Sequence, residues 1–100
     1  MIRHVVLFRF LPDTTDAQKA AIVEGLRELP AQIPELLAYA VGPDLGLTDA
    51  TFDLAVVGDF ADADGYRAYL AHDAHETVAR ERIRPFVAER ASVQYEIPDR

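Results

Sequence analysis

The stretch that decides the fold is IRHVVLFRF, residues 2–10. Its side chains divide into two sets with a period of two residues, which is typical of a β-strand. One face of the predicted strand carries Ile2, His4, Val6, Phe8 and Phe10, and the other carries Arg3, Val5, Leu7 and Arg9. We expect helices to cover the face that contains His4 and Phe8.

The rest of the chain supplies further helical and extended patterns. The predicted elements span residues 2–10, 15–29, 36–41, 52–60, 62–71, 73–87 and 93–97. Thr15 is the expected N-cap of the first helix, in a capping box with Gln18, and Asp73 is the expected N-cap of the last helix. The order strand, helix, strand, strand, helices, strand is that of a ferredoxin-like βαββαβ arrangement. This is an α+β fold in which helices cover one face of a four-stranded antiparallel sheet.

The second face of the predicted sheet has no cover within the chain. It is a partly apolar strip whose members are Arg3, Val5, Leu7, Ala55 and Val57. Arg3 and Arg9 on one strand oppose Asp53 and Asp59 on another, and a strip ringed by opposite charges suits a self-complementary contact. We therefore expect a homodimer that closes two sheets face to face. The alternative is a sheet with one face in water.

Composition excludes several classes of function. The chain has 100 residues with a formal charge of −7, which argues against binding to nucleic acid or anionic membranes. The absence of Cys excludes disulfides, thiolate zinc sites and thiol nucleophiles. Lys19 is the only lysine and Ser92 the only serine, and neither has the context of a covalent nucleophile. The opening residues lack the apolar centre of a signal peptide, so we expect a cytoplasmic protein.

The three histidines fall in two places. His4 lies on the helix-facing side of the first strand, whereas His72 and His75 flank the junction of the two C-terminal helices, close to Tyr69. The topology would gather these four side chains at one cavity mouth, where imidazole and phenol groups can perform acid–base chemistry near neutral pH. His4 could instead be a hydrogen-bonded core residue. His72 and His75 could form a metal fork, but a zinc site needs further ligands.

Several motifs resemble the stress-responsive A/B barrel (Dabb) family of dimeric ferredoxin-like proteins. The most specific is Tyr-Leu-Ala-His-Asp-Ala-His at 69–75, which follows Phe60 by eight intervening residues. The opening 2–8, the segment 15–19, Ile-Pro at 33–34, Gly-Pro-Asp at 42–44, Arg-Pro-Phe at 84–86 and Val-Gln-Tyr at 93–95 also match. The resemblance covers nearly the whole chain and implies one Dabb domain over residues 1–100, assembled as a dimeric α/β barrel.

The chain is similar to the plant polyketide cyclase of this family at Tyr69 and His75. That resemblance implies a cofactor-independent aldol cyclisation, in which Tyr69 orients the substrate carbonyl and His75 removes the proton alpha to it. It also implies a pocket for a small apolar or carbonyl ligand, in which His4 and His72 accompany an apolar lining of Val6, Phe8, Ile22, Leu26 and Val56. No metal or cofactor is implied. Asp73 stands where the family usually has Pro, and Gln94 where it often has an acidic residue.

Two other functions fit the same fold. One is a non-catalytic stress-response or ligand-binding barrel with an apolar pocket. The other is a monooxygenase on the same dimeric fold. The haem-degrading monooxygenases use an Asn, Trp and His site, and this chain has neither Asn nor Trp, so this class is disfavoured.

Overall fold

The computed structural model describes residues 1–99, which form a four-stranded antiparallel sheet with helices on one face. The strands are β1 (Ile2–Phe10), β2 (Ala38–Pro43), β3 (Leu54–Phe60) and β4 (Val87–Glu96). Their spatial order is β2-β3-β1-β4, so the first strand is central and the last lies at an edge. This is the order of the ferredoxin-like fold, which confirms the fold class predicted from the sequence.

The helices are α1 (Asp16–Arg27), α2 (Ala63–Ala71) and α3 (Asp73–Val78). A 3-10 turn at Leu29–Ala31 follows α1, and a π-helical turn at Ala79–Ile83 continues α3. The predicted capping box at the start of α1 is present: the Thr15 side chain accepts from Gln18 N, and the Gln18 side chain accepts from Thr15 N. No helix among residues 1–99 has the length and hydropathy needed to cross a membrane.

The second and third strands of the prediction begin about two residues too early. β2 begins at Ala38 rather than at residue 36, because Leu36 is buried in the connection that follows the 3-10 turn. β3 begins at Leu54 rather than at residue 52, since Phe52 lies against Arg9, whose guanidinium is 4.4 Å from the ring centroid. Both errors affect only the positions at which the strands begin, and the residues on each face of the two strands are as predicted.

The last strand differs most from the prediction. β4 begins at Val87, six positions before the predicted Val93, and it pairs with β1 along nearly its full length. Val93 and Tyr95 lie opposite Val5 and Arg3, on the face away from the helices. From Arg90 to Glu96 the even-numbered residues of β4 therefore face the helices, although they are polar, and the register shift beside Phe10 puts the odd-numbered Val87 on that same side.

The core lies between the helices and one face of the sheet. The inner residues of β1 and β3, including Val6, Phe8, Leu54 and Val56, are buried against α1 and the segment after it. Leu29 and Ile33 have no exposed surface, and Phe60 is likewise fully covered beneath α2. The helices therefore cover the face of β1 that the sequence pattern predicts.

The charges on the open face are paired within the chain. Arg3 makes a bidentate contact with Asp59, with Nε–Oδ1 and Nη2–Oδ2 distances of 2.8 and 3.0 Å. Arg9 pairs with Glu89 rather than with Asp53, whose carboxylate accepts from the backbone N–H of Phe10. Arg9 and Asp53 therefore do not form an ion pair, because the Asp53 carboxylate binds the backbone at the end of β1. The apolar strip remains, and the half-exposed Val93 and Tyr95 extend it.

Candidate functional site

A cavity of about 450 Å³ opens between the sheet and the C-terminal helices. Its wall combines apolar side chains with five polar or charged ones, of which two are histidines, one is a tyrosine and two are arginines. The lining residues are His4, Val6, Phe8, Leu26, Val56, Tyr69, Leu70, His75, Ala79, Ile83, Arg84, Val87 and Arg90. A mostly apolar cavity of this size with a few convergent polar groups is typical of a small-molecule site.

His4 forms part of the cavity floor. The imidazole is only 3% exposed, and its Nδ1 lies 2.8 Å from Nε2 of Gln94, the residue opposite it on β4. Burial lowers the pKa of His4 to about 4, and the positive charges of Arg90 and of protonated His75 act in the same direction. The ring is therefore neutral near pH 7, and with the Gln94 amide donating to Nδ1 its proton lies on Nε2.

Tyr69 and His75 meet across the junction of α2 and α3. Tyr69 lies in the last turn of α2 and His75 in the first turn of α3, and their ring centroids are 4.4 Å apart. The extended backbone at His72, with φ −69° and ψ 137°, redirects the chain between the two helices. This turn brings together two side chains that one continuous helix would hold on different faces.

The environment shifts the pKa values of Tyr69 and His75 in opposite directions. Burial raises the pKa of the Tyr69 phenol, so the hydroxyl remains a proton donor at neutral pH. Burial lowers the pKa of His75; the Leu70 carbonyl and Glu76 oppose this shift, and Arg84 and Arg90 add to it. Nδ1 of His75 is buried and has no hydrogen-bond partner among the described residues.

Aromatic rings hold these groups in place. The Tyr66 ring lies 4.9 Å from that of His4, and the Phe60 ring lies 5.2 Å from that of Tyr69. Tyr39 on β2 is half-buried beside Tyr69; burial raises the pKa of Tyr39, and its hydroxyl lowers the pKa of Tyr69. Packed rings leave few alternative rotamers, so the cluster is preorganised for a ligand.

Two residues expected in the pocket lie outside this cavity. The ring of His72 turns away from it, and its Nδ1 accepts from the backbone N–H of Ala74, 3.1 Å away. His72 is therefore the N-cap of α3, and the prediction that Asp73 holds this place is wrong, because Asp73 is the first helical residue. Ile22 is buried in the core behind the cavity wall. The other expected lining residues, His4, Val6, Phe8, Leu26, Val56, Tyr69 and His75, all reach the cavity.

Sequence reasoning missed the two arginines of the site. Arg84 pairs with Glu76 at 3.1 Å, whereas Arg90 projects from β4 opposite Phe8. The signal for Arg90 was the alternation of β4, in which the apolar Val93 and Tyr95 occupy one face and leave position 90 on the other. Polar residues on a strand are usually assigned to solvent, and here they lie on the side of the cavity.

The described residues offer few ligands for a metal. Within residues 1–99 there is no group of three or more His, Asp or Glu side chains arranged to hold an ion. His72 and His75 point to different surroundings, so they do not form the fork considered from their spacing. What the site does offer is a neutral imidazole, a phenol and a guanidinium around an apolar space.

Comparisons with solved structures place this geometry among known folds. A dimeric ferredoxin-like protein of unknown function from Thermobifida fusca is 43% identical, with a TM-score of 0.90 over 96% of this chain and 90% of that chain. The hydroxynitrile lyase of Passiflora edulis is 20% identical, with a TM-score of 0.85 over 99% of this chain and 94% of that chain. At this level of identity, the likeness to the hydroxynitrile lyase shows a shared fold and nothing more.

Sequence comparisons assign the family. An uncharacterized protein of Streptomyces coelicolor is 33% identical over 79 residues, which cover 76% of this chain and 80% of that protein. The family model of the stress-responsive A/B barrel domain matches residues 2–97. The match includes both strands and both helices that supply the cavity's polar groups. The chain therefore belongs to the stress-responsive A/B barrel domain (Dabb) family.

Proposed function

We propose that this protein is a cofactor-independent acid–base enzyme that acts on a small carbonyl compound in the cavity. His75 is the general base and Tyr69 the hydrogen-bond donor to the substrate carbonyl. The observation that carries the proposal is the contact of these two rings, 4.4 Å between centroids, at the wall of one largely apolar cavity. Their opposite pKa shifts give each group the protonation state that its role needs.

The leading reaction is an aldol cyclisation of the polyketide type. The imidazole of His75 takes the proton alpha to a carbonyl, and the electron pair moves onto the carbonyl oxygen, which accepts from the Tyr69 hydroxyl. The enolate carbon then attacks a second carbonyl of the same chain, forming a carbon–carbon bond. The new alkoxide takes the proton back from His75. No oxidant or external acid is required, and each step uses a group already at the cavity.

His4 supports the same chemistry as a second donor. Because the amide of Gln94 donates to Nδ1, the neutral ring carries its proton on Nε2. Its position 6.3 Å from the Tyr69 ring lets it share a ligand with Tyr69. His4 would then hold a second oxygen of the substrate while His75 removes the proton.

A structural neighbour with an enzymatic name is consistent with this proposal. The Passiflora edulis hydroxynitrile lyase shares the fold, so the scaffold can carry a catalytic site. Cleavage of a hydroxynitrile and aldol chemistry both need a base and a donor to an oxygen that changes charge. This likeness supports catalysis in general, whereas the residue roles proposed here rest on the cavity of this chain.

We further propose that the active form is a homodimer joined through the open face of the sheet. The dimeric Thermobifida fusca relative supports self-association. The contact would use the apolar strip together with Arg3, and its members are Arg3, Val5, Leu7, Ala55, Val57, Val93 and Tyr95. Val93 is 55% and Tyr95 46% exposed in the single chain, and burying them would remove apolar surface from water.

The test of catalysis measures turnover of a poly-β-keto thioester by Tyr69→Phe and His75→Ala. Each variant should lose roughly 10²–10⁴-fold in rate while its unfolding curve shows a folded protein. The matched control is His72→Ser, which removes a neighbouring imidazole outside the cavity and keeps an N-cap side chain. Rates of Tyr69→Phe and His75→Ala equal to that of the control would refute the assignment.

A ligand-binding barrel without catalysis is the second candidate. The observation that favours it is the lining itself, which is mainly apolar and could enclose a ligand without changing it. In that case a compound would copurify in the cavity and be recovered unchanged after incubation. Conversion of any carbonyl substrate that depends on His75 would exclude this candidate.

A further inference from the structure

Arg90 lines the cavity but has no role in the proposed acid–base mechanism. Arg90 lies on β4 opposite Phe8, on the helix-facing side of the sheet, and it lines the cavity with His4, Tyr69 and His75. Its side chain is exposed to solvent. It therefore lies where the cavity opens, in reach of both a ligand and the three groups assigned to chemistry.

Arg90 differs from the other arginines in its lack of a partner. Every other arginine within residues 1–99 makes an ion pair or a hydrogen bond: Arg3, Arg9, Arg27, Arg67, Arg80, Arg82 and Arg84. For Arg90 the described part of the chain provides neither. The protein carries 17 acidic residues and a formal charge of −7, so an unpaired guanidinium at a cavity mouth stands out from its surroundings.

The cavity as a whole has the opposite charge to the chain. Among its described lining residues there is no Asp or Glu, whereas Arg84 and Arg90 both contribute to the wall. Glu76 neutralises Arg84 at 3.1 Å, which leaves Arg90 as the charge that a ligand meets. The positive charge of Arg90 also helps to lower the pKa of His4, Tyr69 and His75, so its field extends across the site. A positive cavity in an acidic protein attracts anions.

We propose that Arg90 is a specificity-determining residue that binds the carboxylate of the ligand, so that the cavity takes an anionic carbonyl compound with an apolar body. A guanidinium matches a carboxylate with two parallel N–H···O bonds. The aliphatic wall of Val6, Leu26 and Val56 receives the apolar part, and the carbonyl reaches Tyr69 and His75. This inference rests on the proposed function and adds the class of substrate to it.

The test uses two unreactive probes of equal length, octanoate and octanamide, which differ in charge. Calorimetric titration of the wild-type protein should give tighter binding of octanoate by roughly tenfold or more, the size expected for hydrogen bonds to a charged group. Arg90→Gln should abolish this preference, and Arg90→Lys should retain part of it. The control is Arg67→Gln, which removes an exposed arginine of α2 that pairs with Asp64, and it should leave the preference unchanged.

The outcomes separate this inference from the proposed catalysis. Equal binding of the two probes by wild type, binding of neither, or an octanoate preference that survives in Arg90→Gln would each overturn the inference. Because the probes do not react, such a result leaves the roles of Tyr69 and His75 to their own rate measurements. Loss of the octanoate preference in both Arg90→Gln and Arg67→Gln would also overturn it, since the effect would then be one of net charge.

Discussion

The layer between the helices and the sheet has two sides that differ in packing. On one side α1, the 3-10 turn and β2 enclose a dry core, in which Leu29 and Ile33 have no exposed surface. On the other side α2, α3 and β4 leave a cavity of about 450 Å³. The most enclosed side chains on the dry side are apolar, whereas the cavity side holds His4, Tyr69 and His75. The difference indicates that the fold's stability and its chemistry are built from different parts of one layer.

The largest loss of stability is expected for a substitution in the enclosed core on the dry side. Leu29→Ala should lower the free energy of unfolding by roughly 2–5 kcal/mol, because it removes a fully enclosed side chain and leaves a void. The matched change on the cavity side is Leu70→Ala, at a residue that is 38% exposed, and its cost should be well under half as large. Chemical denaturation of both variants checks this, and equal losses would contradict the division into two sides.

The second prediction concerns pH and the cavity side. The pKa of His4 is about 4 in the folded chain and 6.5 in the unfolded chain, so the unfolded state binds a proton first as the pH falls. Stability should therefore decrease between pH 6.5 and 4, by roughly 3 kcal/mol from His4 alone. His4→Gln should flatten this part of the curve, measured by denaturation at a series of pH values. A slope identical to that of wild type would contradict the assignment.

The third prediction is for a substitution of Gln94, the hydrogen-bond partner of His4. Gln94→Glu would place a carboxylate 2.8 Å from Nδ1, which favours the protonated imidazole. The pKa of His4 should rise by about one unit or more, measured from the ring proton shift in an NMR titration. Gln94→Met has a similar length and no charge, and it should keep the pKa of His4 below 6.5. A pKa of His4 that is the same in both variants would show that this contact does not control it.

The smallest expected effect lies at the junction of α2 and α3. His72→Ala removes the acceptor for Ala74 N–H and should cost about 1 kcal/mol of stability. His72→Ser replaces one N-cap acceptor with another, so its unfolding midpoint should remain close to that of wild type. Equal midpoints for the two variants would mean that the imidazole contributes no cap.

Local signals account for what the sequence predicts correctly. The alternation in residues 2–10 and the capping box at Thr15 depend on neighbours within a few positions, and both appear as expected. The family motif places His4, Tyr69 and His75 in one pocket, and the structure brings them together. The strand and the capping box share one property: each is encoded by residues that are adjacent or evenly spaced along the chain, whereas the meeting of His4 with Tyr69 and His75 is predicted by the family resemblance.

The missed features depend on long-range contacts. The early start of β4 follows from its pairing with β1, about 80 positions away, and only that register turns Arg90 toward the cavity. An N-cap at His72 is unusual, because Ser, Thr, Asp and Asn are the common capping residues. The apolar residues of β4 were correctly found to alternate, but pattern alone does not say which face of an edge strand meets the helices.

The π-helical turn at Ala79–Ile83 gives the cavity a way to vary. The backbone N–H of Arg84 donates to the carbonyl of Ala79, five positions earlier, at 2.9 Å. Such a turn holds one residue more than a regular α-helical turn, and each residue of a helix rotates its successors by about 100°. Ala79, Ile83 and Arg84 all line the cavity. Removing the extra residue would restore a regular α-helical turn in which the Arg84 N–H still reaches the Ala79 carbonyl, so a change in chain length at this turn would reshape the cavity wall locally and leave the flanking helix and β4 in register.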